Sequence, residues 1–341
     1  MSRKAKGRKE MFNFKTAVAA AALASSVLLP GVALAQTVLK LGHVWPAAEI
    51  HARAAERFAA DVAQATNGAV KVEIYGGSTL GSDRELVEGL RFGSNDIWVG
   101  GAGVLTSASD TAKIFALPFM IRDSQHFGQV YGGPTGQEIT EAVRKESGLQ
   151  VLAYWLRGPR WLTTKKPVNA PADLAGLKIR VPDSPVSVAS WKALGAAPTP
   201  MSFGEVFNAL QQGVIDGQEN PLSLIQTSKF SEVVKFLVRT EHSYEPIVVV
   251  MSASRLARLP EAQRKAVLEA ANGAAKAFAS EEVNKGEAGF IKQLQGEGMT
   301  LIEPDKAAFR AKVGPAFVKA SFPSVAALYE KVAAVGAPAA R

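Results

Sequence analysis

Thr37-Val-Leu-Lys-Leu41, Val70-Lys-Val-Glu-Ile-Tyr75 and Asp96-Ile-Trp-Val99 are three strand-like runs separated by two stretches of helical spacing. Residues 47–66 place Ile50, Ala54, Phe58 and Val62 on one stripe, and Asn67-Gly68 suits the C-cap that follows. Residues 82–92 read as a second helix with Asp83 in its first turn. Strand, helix, strand, helix, strand is the signature of an α/β layer with helices on both faces of its sheet.

The pattern continues outward. Leu149–Trp155 and Lys178–Val181 read as strands, and residues 185–194 and 202–213 as helices. Ile247–Met251 is continuously apolar, as a central strand should be. Residues 260–298 keep helical spacing for an unusual length, broken only by Gly273, Gly286 and Gly289. No internal repeat or low-complexity linker is evident, so the chain is expected to cross between two interleaved lobes.

The ends bound the class of protein. Six basic residues, Arg3, Lys4, Lys6, Arg8, Lys9 and Lys15, precede an apolar run that ends Ala33-Leu-Ala35. This reads as a secretory signal peptide, residues 1–35, with cleavage expected between Ala35 and Gln36. A retained anchor is the alternative, since the run approaches spanning length. The chain has 39 basic and 31 acidic residues among 341, a net +8. The leader holds six of the basic and one of the acidic residues, which leaves 33 against 30, a net +3 over 306 residues. That balance gives no case for nucleic acid. There is no cysteine, hence no disulfide or thiol chemistry. The mature part is expected not to insert in a membrane.

Three motifs carry chemistry: Gly158-Pro-Arg160, Leu177-Lys-Ile-Arg-Val-Pro182 and Asp216-Gly-Gln-Glu-Asn-Pro221. Arginine offers a planar fork of donors that binds both oxygens of a carboxylate and keeps its charge. In Lys178–Val181, strand alternation puts Lys178 and Arg180 on one face and Ile179 and Val181 on the other. Asn220 sits in a Pro-terminated turn. Its amide can donate to a carboxylate and accept from a hydroxyl, and it also reads as the N-cap of a helix beginning at Pro221. Glu219 suits orienting an arginine, because a carboxylate facing an anion would repel it. Gly101-x-Gly103 after a strand lacks the third glycine of a dinucleotide fingerprint, position 106 being Thr. No cofactor, metal or nucleophile motif appears, and the four histidines are scattered.

In this order, with Thr79-Leu-Gly-Ser-Asp-Arg-Glu85, Ala116-Leu-Pro-Phe119, Ala196-Ala-Pro-Thr-Pro-Met201 and Ser202-Phe-Gly-Glu-Val206, the motifs resemble a family. It is the solute-binding proteins of tripartite ATP-independent periplasmic (TRAP) transporters, of the C4-dicarboxylate and organic-acid type. The resemblance implies a two-lobed, class II-like periplasmic binding protein with an interlobe cleft and a long helix spanning both lobes. Residues 36–157 with 246–285 would form lobe I, and 158–245 with 286–313 lobe II. Residues 314–341 would pack back on lobe I. It implies Arg180 as the main carboxylate clamp, Arg160 as its assistant and Phe203 against the ligand's carbon skeleton. His43, Trp45 and Asp83 or Glu85 would line the cleft and set specificity. Gly101, Ala102 and Gly103 stand where sialic-acid-binding relatives carry Glu and Arg, which argues against sialic acid and implies a different or roomier floor.

The expected function is capture of a small organic acid, such as a sugar acid, uronate or hydroxy acid, by a monomer that is not an enzyme. The resemblance implies delivery to the membrane subunits of an ion-driven transporter. An apolar or aromatic monocarboxylate or a 2-oxo acid is the alternative ligand. A secreted lyase or hydrolase, or a ligand sensor, is the alternative class.

Overall fold

The structure, a computed structural model, describes residues 36–337. The signal-peptide reading and its cleavage site lie outside the described residues. In chain order the strands are β1 (Thr37–Gly42), β2 (Val70–Tyr75), β3 (Ile97–Gly101), β4 (Leu149–Trp155), β5 (Arg160–Thr164), β6 (Lys178–Val181), β7 (Ala197–Pro200), β8 (Gly217–Pro221), β9 (Phe236–Val238), β10 (Ile247–Ser252) and β11 (Thr300–Ile302). They form two sheets, one per lobe, with orders β2-β1-β3-β10-β4 and β7-β6-β8-β5-β9-β11.

The two sheets share one plan. β1 lies parallel to β2 and β3, and β6 lies parallel to β7 and β8. An antiparallel strand, β10 or β5, then closes each triplet. The helix before β3, Asp83–Phe92, ends at left-handed Gly93 (φ 80°), and the helix before β8, Val206–Gln211, is followed by left-handed Gly213 (φ 76°). Glycine takes that conformation without steric cost. Three residues on, Asp96 accepts from the Lys40 amide at 2.9 Å, and Asp216 accepts from the Lys178 amide at 2.9 Å. The molecule therefore contains an internal structural repeat, which the sequence reading missed. A few identities recur, among them Ser82/Ser202, Glu85/Glu205, Leu90/Leu210, Gly93/Gly213, Asp96/Asp216, Leu39/Leu177 and Lys40/Lys178, too scattered to stand out.

The expected stripe Ile50, Ala54, Phe58 and Val62 is fully buried in the first core, on the helix Ile50–Ala65. In the second lobe alternation splits neighbours: Trp161 packs on one face of the sheet and Leu162 on the other. Residues 260–298 form two helices, Glu261–Asn272 and Ala274–Gly296, because Gly273 leaves helical geometry (φ −89°, ψ −131°). The second is the long helix. Ala275, Phe278 and Ala279 near its start join the first core, and Leu294 near its end joins a second-lobe core. Val318, Val325, Tyr329 and Val332 of the C-terminal helices also join the first core. No helix among the described residues is long and apolar enough to cross a membrane.

Candidate functional site

Gly158, held at φ +82°, turns the chain out of β4, and Pro159 delivers it into β5 at Arg160. The antiparallel register sets Arg160 opposite Pro221, Trp161 opposite Asn220 and Leu162 opposite Glu219. Arg160 is thereby enclosed. Its Nε donates to Glu219 Oε2, its Nη2 to Glu219 Oε1 at 2.8 Å, to the Glu219 carbonyl at 2.7 Å and to Asn220 Oδ1 at 3.2 Å, and its Nη1 to Glu245 Oε2 at 3.0 Å. Burial alone would raise the Glu219 carboxyl, but Arg160 and the bond from His242 outweigh it and bring it down to about 2. The reading of Glu219 as the orienter of an arginine matches this geometry.

Arg180 leaves β6 on the face opposite Ile179 and Val181, both fully buried. Its Nε and Nη2 donate to one acceptor, the Met201 carbonyl, at 3.1 and 2.8 Å, and its guanidinium lies 5.9 Å from the Phe203 ring centroid. A third arginine, Arg157, donates to Glu245 Oε2 at 2.8 Å and to Asn220 Oδ1 at 3.2 Å. Burial, the largest cause, together with the neighbouring guanidiniums lowers Arg157 and Arg180 each to about 10. Arg157, Arg160 and Arg180 are only 7, 3 and 4% exposed. Three buried guanidiniums thus face two carboxylates, Glu219 and Glu245.

The three arginines, Asn220 and Glu245 line a cavity together with Val44, Trp45, Asp83, Gly101, Val104 and Phe203, while Glu219 stands behind Arg160. Asp83, at the start of its helix, accepts from Trp98 Nε1 at 2.9 Å, and burial pushes its carboxyl up to about 6. Past Val44 and Phe203 the cleft widens into an open, largely apolar groove that also meets Phe207 and Phe230. At the mouth, Arg84 reaches Asp183 across the lobes at 3.1 Å.

Arg160, Arg180, Asn220, Phe203, Trp45 and Asp83 therefore converge; Glu85 and His43 do not join them. Glu85 closes the capping box with Ser82, accepting from its amide at 2.7 Å, and is occupied outside the cavity. His43 stacks behind Trp45 at 5.5 Å and accepts from the Trp45 amide at 3.3 Å. Burial lowers it to about 4, so it is a neutral buttress. Asn220 is not in a turn but in β8, and Pro221 caps the helix Leu222–Thr227. Its Oδ1 is taken by two arginines and its Nδ2 already donates to Gln218 at 2.6 Å, so it has one donor left and no acceptor role.

The floor at Gly101 and Gly103 is not roomier. A Cβ at Gly101 would stand 3.0 Å from Arg157 Nη1, and one at Gly103 only 2.5 Å from Glu245 Oε1. The Arg157–Glu245 pair fills that space. Sequence reasoning missed both residues. Their signals were a second arginine in Arg157-Gly-Pro-Arg160 and an acid, Glu245, just before the apolar strand β10.

Residues 41–322 match the family described as bacterial extracellular solute-binding protein, family 7. The chain belongs to that family. It is 38% identical over 292 residues to a solute-binding protein of Roseobacter denitrificans, covering 85% of this chain and 88% of that one. Over 283 residues it is 32% identical to the 2,3-diketo-L-gulonate-binding periplasmic protein of Escherichia coli, covering 82% and 86%. The crystal structure of a TRAP periplasmic solute binding protein from Roseobacter denitrificans with bound L-galactonate matches with a TM-score of 0.83 at 35% identity, covering 87% of this chain and 98% of that one. The TRAP resemblance read from the motifs and the two-lobed α/β fold are both borne out. This is a solute-binding protein whose buried cations line a cavity formed by residues from both halves of the fold.

Proposed function

We propose that this solute-binding protein captures a sugar acid with one carboxylate and hands it to the membrane subunits of a TRAP transporter. One observation carries the reading: a cavity lined by Arg157, Arg160 and Arg180 in which Arg180 is held by a backbone carbonyl and by no carboxylate, with Asp83 across from it. The carboxylate docks on Arg180, which is held by a backbone carbonyl and by no carboxylate, with the remaining donors of Arg160 and Asn220 beside it. Trp45 and Phe203 cover the carbon chain, and Asp83 meets hydroxyls. Residues 36–157 with 246–285 move as one body and 158–245 with 286–313 as the other, with 314–341 riding on the first. Hinge closure expels water and strengthens each charge-assisted bond in the lower dielectric. The protein works as a periplasmic monomer after loss of residues 1–35, and it releases its cargo unchanged.

Relatives named for L-galactonate and 2,3-diketo-L-gulonate support the sugar-acid class. A thermal-shift panel of hexonates, uronates, aliphatic acids and aromatic acids tests it. Sugar acids at a hundredfold excess over Kd should stabilise the fold by about 3 kcal/mol. A response confined to aliphatic or aromatic acids, or recovery of a chemically altered ligand, would contradict it.

A further inference from the structure

A guanidinium has five N–H donors. In Arg160 four of them are engaged by Glu219, Glu245 and Asn220. In Arg157 only two are, one on Glu245 and one on Asn220. Arg157 nevertheless lines the ligand cavity with Arg180 and Asp83 and is buried, at 7% exposed. Its geometry is fixed from behind. Glu245, which holds it, is itself anchored by the Gly103 amide at 2.6 Å, and the missing side chain of Gly101 gives the pair its room. A buried, pre-positioned cation with three unpartnered donors is costly unless a ligand completes it.

Resting on the sugar-acid reading, we propose that Arg157 is a specificity-determining residue that donates to the oxygen on carbon 2 of the acid held by Arg180. Arg157 is a donor only, so it recognises an acceptor: a hydroxyl or oxo oxygen rather than a C–H. It is bonded to Asn220, one step from the carboxylate clamp, and the ligand atoms nearest a carboxylate are those on carbon 2. The site then selects 2-hydroxy and 2-oxo acids over 2-deoxy acids. Asp83, on the same lobe as Arg157 and across from Arg180, serves the hydroxyls further along.

The test is calorimetry with L-galactonate and 2-deoxy-L-galactonate on wild type, Arg157→Gln and Arg180→Gln. Wild type should prefer L-galactonate by about 10- to 100-fold, the range of one hydrogen bond to a charged group. In Arg157→Gln that preference should fall to about twofold or less, on top of whatever loss both acids share from the missing charge. Arg180→Gln should weaken both acids together and keep the preference. Should Arg157→Gln fail to fold on a thermal melt, Arg157→Lys, which keeps the charge but loses the fork, should retain part of the preference. A preference that survives unchanged in the Arg157 variants overturns this inference alone. Wild type that binds neither acid overturns the sugar-acid reading and the inference with it.

Discussion

The two lobes are built alike and equipped differently. Lys40 and Lys178 occupy equivalent places, each paired with an aspartate after a left-handed glycine. Two residues on, the first lobe has Gly42, where a Cβ would stand 2.3 Å from Leu86, and the second has Arg180. At the ends of the equivalent strands, Val99-Gly100 faces Glu219-Asn220 in the alignment of the repeat. Asp83 and Phe203 also correspond, Asp83 opening its helix and Phe203 the 3-10 turn that leads into Val206–Gln211. One scaffold thus bears a charged grip in one copy and a glycine-lined, mostly apolar cover in the other. Most of the anion affinity should reside in the second lobe, and the first should contribute shape and selectivity.

The largest effect should come from Glu219→Ala, which leaves Arg160 buried without its main partner. Loss of one member of such a pair costs on the order of 3–5 kcal/mol, readable by urea unfolding. The same residue fixes a pH dependence. Its folded pKa of about 2 lies below the ordinary 4.5, so its contribution is full above pH 4.5 and disappears as pH falls toward 2. The first-lobe acid behaves oppositely. Asp83 is raised from 3.8 to about 6, so its ionisation costs stability above pH 6 and costs nothing below 3.8. Asp83→Asn should therefore raise stability at pH 8 by on the order of 2 kcal/mol and leave it nearly unchanged at pH 4. Melting curves at the two pH values decide this; equal shifts at both would remove the contrast between the lobes. Arg84→Ala should matter least, since its bridge to Asp183 is exposed on both sides. Affinity should change by less than about fivefold, and less again at high salt.

Much of this was legible in the sequence because local pattern and tertiary context agree. Lys178–Val181 alternates, and its alternation is what separates Arg180 from the core. The stripe on Ile50–Ala65 and the apolar β10 are likewise self-declaring. Asn220 was misplaced because Gly, Asn and Pro are poor strand formers. Pairing of β8 with β5 on one side and β6 on the other overrides that propensity. Glu85 could not be told from Asp83 by position, since only the capping box shows which carboxylate is spent. Arg157 was invisible for a longer-range reason: its placement depends on Glu245, 88 residues away, and on the absence of a side chain at Gly101.

Calorimetric titration of L-galactonate into wild type and Arg180→Ala tests the central claim most directly. Removing the guanidinium that has no carboxylate partner should cost about 30-fold to several-thousand-fold in affinity, with a cooperative melting transition retained. Wild-type affinity in the Arg180→Ala protein would contradict the account.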